Sequence, residues 1–206
     1  MRKFVTTLAM LTGVALFAAA PVQSQSAPVK NLKDCDGTYS GTFRNVTVQS
    51  GGTCILAPGA EVIGGVHAKP GAENLIVHTD VGRNIQAHGV TGTVLIGPQD
   101  CKFDPTVGNN VHVTASHNVL ICSVTSRNNI LVTDNDGRIS VRDSVAGNNI
   151  HVDRNRAWVK DGPVRHNRPG AIRLLRDTAG NHIHVFHNDD SRVLILKGNS
   201  PEPVVK

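Results

Sequence analysis

The chain has 206 residues, of which 39% are hydrophobic and only 3% aromatic, and its formal net charge is +5. That is a mild basic bias, smaller still once Arg2 and Lys3 are set aside with the leader described below, and it argues against nucleic acid as the partner. The scarcity of rings argues for a narrow core of Val, Ile, Leu and Ala.

Met1 to Ser26 places Arg2 and Lys3 ahead of the apolar run Val5 to Ala20, which is shorter than the roughly 20 residues a spanning helix needs. It reads as a secretory signal peptide, with small-residue cleavage sites between Ala20 and Ala27. The mature chain is therefore expected to be secreted, without a transmembrane segment, a lipobox cysteine or a C-terminal anchor. Residues 27–44, with Cys35 and the D-G turn at Asp36, are expected to form an N-terminal cap.

A repeat follows. Its clearest copies are V-G-N-N-V-H-V from Val107, A-G-N-N-I-H-V from Ala146 and A-G-N-H-I-H-V from Ala179. Weaker copies put the anchor residue at 45, 65, 84, 110, 129, 149 and 182, in steps of 20, 19, 26, 19, 20 and 33. A period near twenty, with short strand-like runs between Gly, Asn and Asp, marks a solenoid whose repeats bury their faces only against one another.

The residue after each anchor and the one two further on are apolar in every copy, with a mostly polar residue between them, which is the alternation of a half-buried strand. About ten residues after each anchor a second strand is expected at Cys54, Leu75, Val94, Val119, Ile139, Ile172 and Val193. A third, shorter one is expected where Val62, Val81, Val107, Ala146 and Ala179 recur. The expected fold is all-β: a right-handed parallel β-helix of about seven turns of 19–20 residues, over residues 45–199. Insertions interrupt it at 97–106 and 156–171, and residues 200–206 carry no pattern and are expected to form a mobile tail. Asn109, Asn128, Asn148 and Asn181 are expected to form an asparagine ladder that satisfies turn backbone groups.

Four cysteines in an exported chain should pair, and the repeat selects the pairing. Cys35 and Cys54 are 19 residues apart and Cys101 and Cys122 are 21 apart, each about one turn. Neighbouring turns lie about 4.8 Å apart, within the reach of a disulfide.

Function is harder to read. In a repeat protein the departures from the repeat are the natural places for binding groups. The loop 156–171 holds Trp158, Lys160, Arg165, His166 and Arg168. Its tryptophan suits stacking on a sugar ring and its cations suit carboxylates or sulfates; the alternative is a tryptophan that covers apolar wall. His151, His182 and His184 are the one histidine group close enough in register to suit zinc or copper, against a reading as polar wall residues. Asp134, Asp136, Asp153 and Arg154, with Asp143, form the best cluster for a catalytic reading, although tight turns also call for Asp. No cofactor motif is present.

The V-G-N-N-V-H-V and A-G-N-N-I-H-V repeats, behind a signal peptide and the C-D-G-T-Y cap from Cys35, resemble uncharacterised secreted bacterial parallel β-helix proteins with about twenty residues per turn. The resemblance covers Cys35 to Gly198 and implies the solenoid, without a known active site to carry over. The wider β-helix class includes pectin-degrading lyases and hydrolases, adhesins and scaffolds. Together these readings favour a non-catalytic binding or structural module that engages envelope or environmental polysaccharide. The alternative is a small polysaccharide lyase or glycoside hydrolase. Oligomeric state is not written in the residues.

Overall fold

The computed structural model describes residues 29–156, 172–188 and 194–205. The leader, and Trp158, Lys160, Arg165, His166 and Arg168, lie outside the described residues. The described residues are all-β, without a helix, and their strands pair in parallel in stacked sheets.

The first sheet has ten strands. It runs through Lys30–Leu32, Thr42–Val48, Val66–Ala68, Ile85–His88, Val111–Thr114, Ile130–Thr133, Asn149–Asp153, His182–Phe186 and Val204–Val205, with Glu61–Val62 paired beside the second of these. The second has eight: Gly37–Tyr39, Thr53–Leu56, Asn74–Val77, Val94–Ile96, His117–Cys122, Asp136–Arg142, Ile172–Leu175 and Leu194–Lys197. A four-stranded third sheet, Thr106–Val107, Thr125–Ser126, Val145–Ala146 and Thr178–Ala179, is extended by the bridges that join Val62, Val81 and Val107. Each strand pairs with the strand one repeat away, so the chain returns to the same position every turn. This arrangement is compatible with a solenoid of the parallel β-helix kind.

The anchor register survives intact. Val46, Val66, Ile85, Val111, Ile130, Ile150 and Ile183 are all buried, as are Val48, Ala68, Ala87, Val113, Val132, Val152 and Val185, and each stacks on its equivalent in the next turn. Like β-branched residues pack well when superposed at a strand spacing. Cys35 pairs with Cys54 and Cys101 with Cys122, each with Cα atoms 5.2 Å apart. The second disulfide fastens the insertion 97–106 over the outer face of the second sheet, where Leu95 is buried while its stack-mates Ile55, Ile76 and Leu120 are half-buried.

Three details differ from the sequence expectation. The last strand of the second sheet pairs Leu194 with Ile172 and Leu196 with Leu174, one residue later than the V-L-I run from Val193 suggests. A one-residue slip exchanges the two faces of a strand, and Leu196 is the residue that packs on the core. Residues of the cap already pair in both large sheets, and beyond Ser200, which bridges Thr178, Val204 and Val205 pair with His184 and Val185. The side-chain ladder lies at the anchors rather than one residue before them: Asn84 Oδ1 accepts from Asn110, Asn110 from Asn129 and Asn129 from Asn149, each through backbone N and Nδ2. Asn109 and Asn128 do bond side chain to side chain, but Asn148 and Asn181 continue that column through the backbone.

The glycine of the repeat has a steric cause. A Cβ on Gly82, Gly108, Gly147 or Gly180 would lie 1.9–2.1 Å from a carbonyl oxygen of the preceding turn. Gly147→Ala is therefore expected to destabilise the protein by about 1–3 kcal/mol, the usual cost of overpacking, as read by urea denaturation.

Two further ladders run inside the corners. At one, Ser116, Asn135, Asn155 and Asn188 pass side-chain oxygens to the backbone N of Val90, Ser116, Asn135 and Asn155. The amide of each Asn also donates to a carbonyl of the preceding turn, Val113, Val132 and Val152 respectively. At the other corner Ser144, Asp177 and Asn199 do the same, with Asn199 donating to Leu174 O. Asp177 has no amide to donate, and its buried Oδ2 is unpartnered. By register the matching acceptor is Val141 O, since Val141 faces Leu174, so the protonated acid is the form that completes the ladder. Burial is the main cause that pushes the Asp177 carboxyl from 3.8 up to about 7. The folded state thus holds this proton more tightly than the unfolded chain, and the stabilisation, complete below the unfolded value, is lost as pH rises through the folded one. Wild type is expected to lose up to about 3 kcal/mol from this group between pH 5 and pH 8, whereas Asp177→Asn, with a permanent donor, lacks that slope in urea titrations at the two pH values.

Candidate functional site

The corner that carries the Ser116–Asn188 ladder also builds an open groove. Five residues after the anchor, five successive turns place a residue in the left-handed region: Gly89, Ala115, Asp134, Arg154 and His187, with φ of 62°, 49°, 56°, 50° and 48°. The reversal sends the following residue into the stack, where Asn or Ser ties the turns together, and leaves its neighbours facing solvent. Seven residues after the anchor a parallel outer column reads Thr91, His117, Asp136 and Arg156, with His117 in register with Asp136 and Asp136 bridged to Arg156. Between the two columns lies an open groove of about 1060 Å³ that runs along the stack.

Charged side chains pair across the turns. Arg154 grips Asp134 with a two-pronged contact, Nε to Oδ1 at 2.8 Å and Nη2 to Oδ2 at 2.9 Å. Its Nη1 donates to Asp153, which also meets His187 Nδ1 at 3.0 Å. His117 Nδ1 lies 2.5 Å from Asp136 Oδ1. All four groove side chains are substantially wet, from 43% exposed for His117 to 57% for Asp136, so these pairs contribute little to stability and orient the groups instead. The hydrogen bonds from Arg154 hold the Asp134 carboxyl below its ordinary value, and the same bonds hold the Arg154 proton more firmly.

The chemistry available is recognition of hydroxyl groups. An ionised carboxylate has about four acceptor sites, so Asp134 keeps some after Arg154 has taken one on each oxygen. A fixed Asp–Arg fork offers acceptors and donors side by side, the pattern that a pair of sugar hydroxyls can meet. Asp134, held ionised, is unsuited to donate a proton near neutral pH.

The sequence-derived cluster is thus largely assembled: Asp134, Asp136 and Arg154 line the groove, and Asp153, on the first sheet, bonds Arg154. Asp143 goes to the opposite corner, where Arg176 pairs with it at 2.6 and 2.7 Å and lowers its carboxyl pKa. His117 was not singled out from the sequence, yet it stands seven residues past its anchor, as Asp136 and Arg156 do past theirs. His151, His182 and His184 lie on the outer face of the first sheet, with ring centroids 4.8 Å apart for His151 and His184 and 5.2 Å for His182 and His184. Among the described residues no three His, Cys, Asp or Glu side chains converge as the ligands of an ion.

Comparisons with protein-family models, with curated proteins and with solved structures found no match to this chain.

Removing the fork tests its electrostatics. In Arg154→Ala the Asp134 carboxyl is expected to titrate at higher pH than in wild type, by carboxyl-carbon NMR, with the denaturation midpoint nearly unchanged because the pair is exposed.

Proposed function

We propose that this chain is an exported right-handed parallel β-helix, with a leader over 1–26 and a cap over 27–44, that acts as a non-catalytic binding module for polysaccharide. The hand follows the rule for parallel crossovers. Export agrees with the two disulfides, and no helix among the described residues is long and apolar enough to cross a membrane.

The observation that carries the reading is the groove between the two outer columns, with the Asp134–Arg154 fork along one side and His117 and Asp136 along the other. It follows the stacking direction, so an extended polymer can lie along several turns and meet polar groups contributed by each of them. Open, and lined mostly by polar and charged residues, it suits a hydrated chain better than a small apolar ligand. The loop with Trp158, Lys160, Arg165, His166 and Arg168 follows Arg156, a groove residue, and is the natural source of a stacking ring and further cations.

One observation favours the alternative, a lyase or hydrolase. His117 and Asp136 form a close pair in the groove, and a carboxylate-backed imidazole is a competent general base.

Calorimetry and product analysis on a panel of neutral and anionic glycans separate the two. Wild type is expected to bind at least one glycan without product, and Arg154→Ala and Trp158→Ala to weaken that binding about tenfold, the equivalent of one charge-assisted contact. Unsaturated uronides or new reducing ends, lost in His117→Ala, would instead establish an enzyme. Absence of binding across the panel would leave a structural role.

A further inference from the structure

A second surface lies beside the groove. On the outer face of the first sheet, the residue two past each anchor reads Thr47, His67, Gln86, His112, Leu131, His151 and His184 in successive turns. The flanking outward positions add His88, in register with Thr114, and His182, in register with Asn149. Six of the ten histidines of the chain therefore share one flat face, none of them fully buried. In the central column they fall mostly on alternate turns, about 9.6 Å apart at the strand spacing.

The other ionisable groups of this sheet are few. At the outward positions beside the histidines they are Lys69, exposed, and Asp153, already engaged by Arg154 and His187, and exposed Lys30 and Glu61 stand on the N-terminal strands. Exposed Arg44, Arg83 and Arg127 flank the edge where the chain enters the strands, and the paired Asp134 and Arg154 flank the edge where it leaves. With neutral imidazoles the strand positions are thus near electroneutrality. With protonated imidazoles the same positions carry a dense positive strip that has one carboxylate to oppose it.

We propose that this histidine face is a docking surface for an anionic polysaccharide, engaged when acidification protonates the imidazoles. Charge complementarity selects the partner: an extended chain with one carboxylate or sulfate per sugar or per pair of sugars repeats its charge at intervals of about one or two strand spacings, so anions can meet the imidazoles of successive or alternate turns. Histidine is the side chain whose ordinary value, about 6.5, lies close enough to neutrality for modest acidification to switch it. Half-burial, and then the neighbouring histidines, hold His112 and His151 below that value, so the free face resists charging and a bound anion relieves the repulsion. The face adjoins the groove at Asp153, which Arg154 engages, but its test is separable from the test of the groove.

The test is retention on immobilised polygalacturonate and heparin at pH 5 and pH 8, at matched ionic strength and with EDTA present throughout. Apparent affinity is expected to be at least about tenfold higher at pH 5. The triple variant His112→Gln, His151→Gln, His184→Gln should lose that gain, while His78→Gln, at a histidine outside both the face and the groove, keeps it. Gln already occupies this column at Gln86, so the substitution suits the strand, and circular dichroism of the variant checks the fold. Equal retention at the two pH values, retention unchanged in the triple variant, absence of retention at pH 5, or capture by a single-stranded polynucleotide in preference to both polysaccharides would each overturn the proposal.

Discussion

Every turn of this chain must meet the next at one strand spacing, with each backbone N–H and C=O finding its partner there rather than in its own turn. That requirement governs the rest. It leaves no room for a Cβ at Gly82, Gly108, Gly147 and Gly180, where a carbonyl of the turn before lies against the corner. It puts like residues above like residues, hence the uninterrupted Val, Ile and Ala stacks and the low ring content. Corners are the exception, because a chain that changes direction leaves backbone groups outside the sheet pattern, and buried polar groups need partners.

Side-chain ladders resolve the corners. An Asn reproduces both halves of a peptide group, so one residue per turn accepts from the next turn and donates to the one before. Asp177 occupies such a place with only acceptors when ionised, and its protonated form is the one that has the missing donor. The ladder that lies inside the corner also organises the outside: where Asn135 and Asn155 are drawn inward, Asp134 and Arg154 one residue earlier and Asp136 and Arg156 one residue later are turned out in register. The groove is therefore a by-product of the same repetition that holds the stack together, and its charged groups pair because equivalent positions in adjacent turns are neighbours.

A uniform stack differentiates its surfaces through what each outward column carries. The groove corner holds pre-paired opposite charges that remain near neutrality, suited to hydroxyl-bearing chains. The outer face of the first sheet holds imidazoles with few countercharges, suited to an anionic chain when they are protonated. Both surfaces run the length of several turns, a shape better matched to a polymer than to a compact ligand.

The repeat was legible because the period of the stacked turns is a period of the sequence: the anchors, the buried columns and both disulfide pairings follow from counting. The same counting contained the groove, since Asp134 and Arg154 stand five past their anchors and His117, Asp136 and Arg156 seven past theirs. Recognising them required knowing that a left-handed corner residue sends its successor inward, a backbone conformation that Ala115, Asp134 and Arg154 do not announce. For the same reason Asp143, close to the others in sequence, belongs to another corner and another arginine. Register at the C-terminal end, where the pattern weakens, and the place of the asparagine ladder were likewise decided in three dimensions. The sequence by itself determined which residues stack, because stacking repeats a short-range pattern. Only the tertiary structure decided which side of each corner a side chain takes and whom it meets there, because that depends on the backbone of the neighbouring turn.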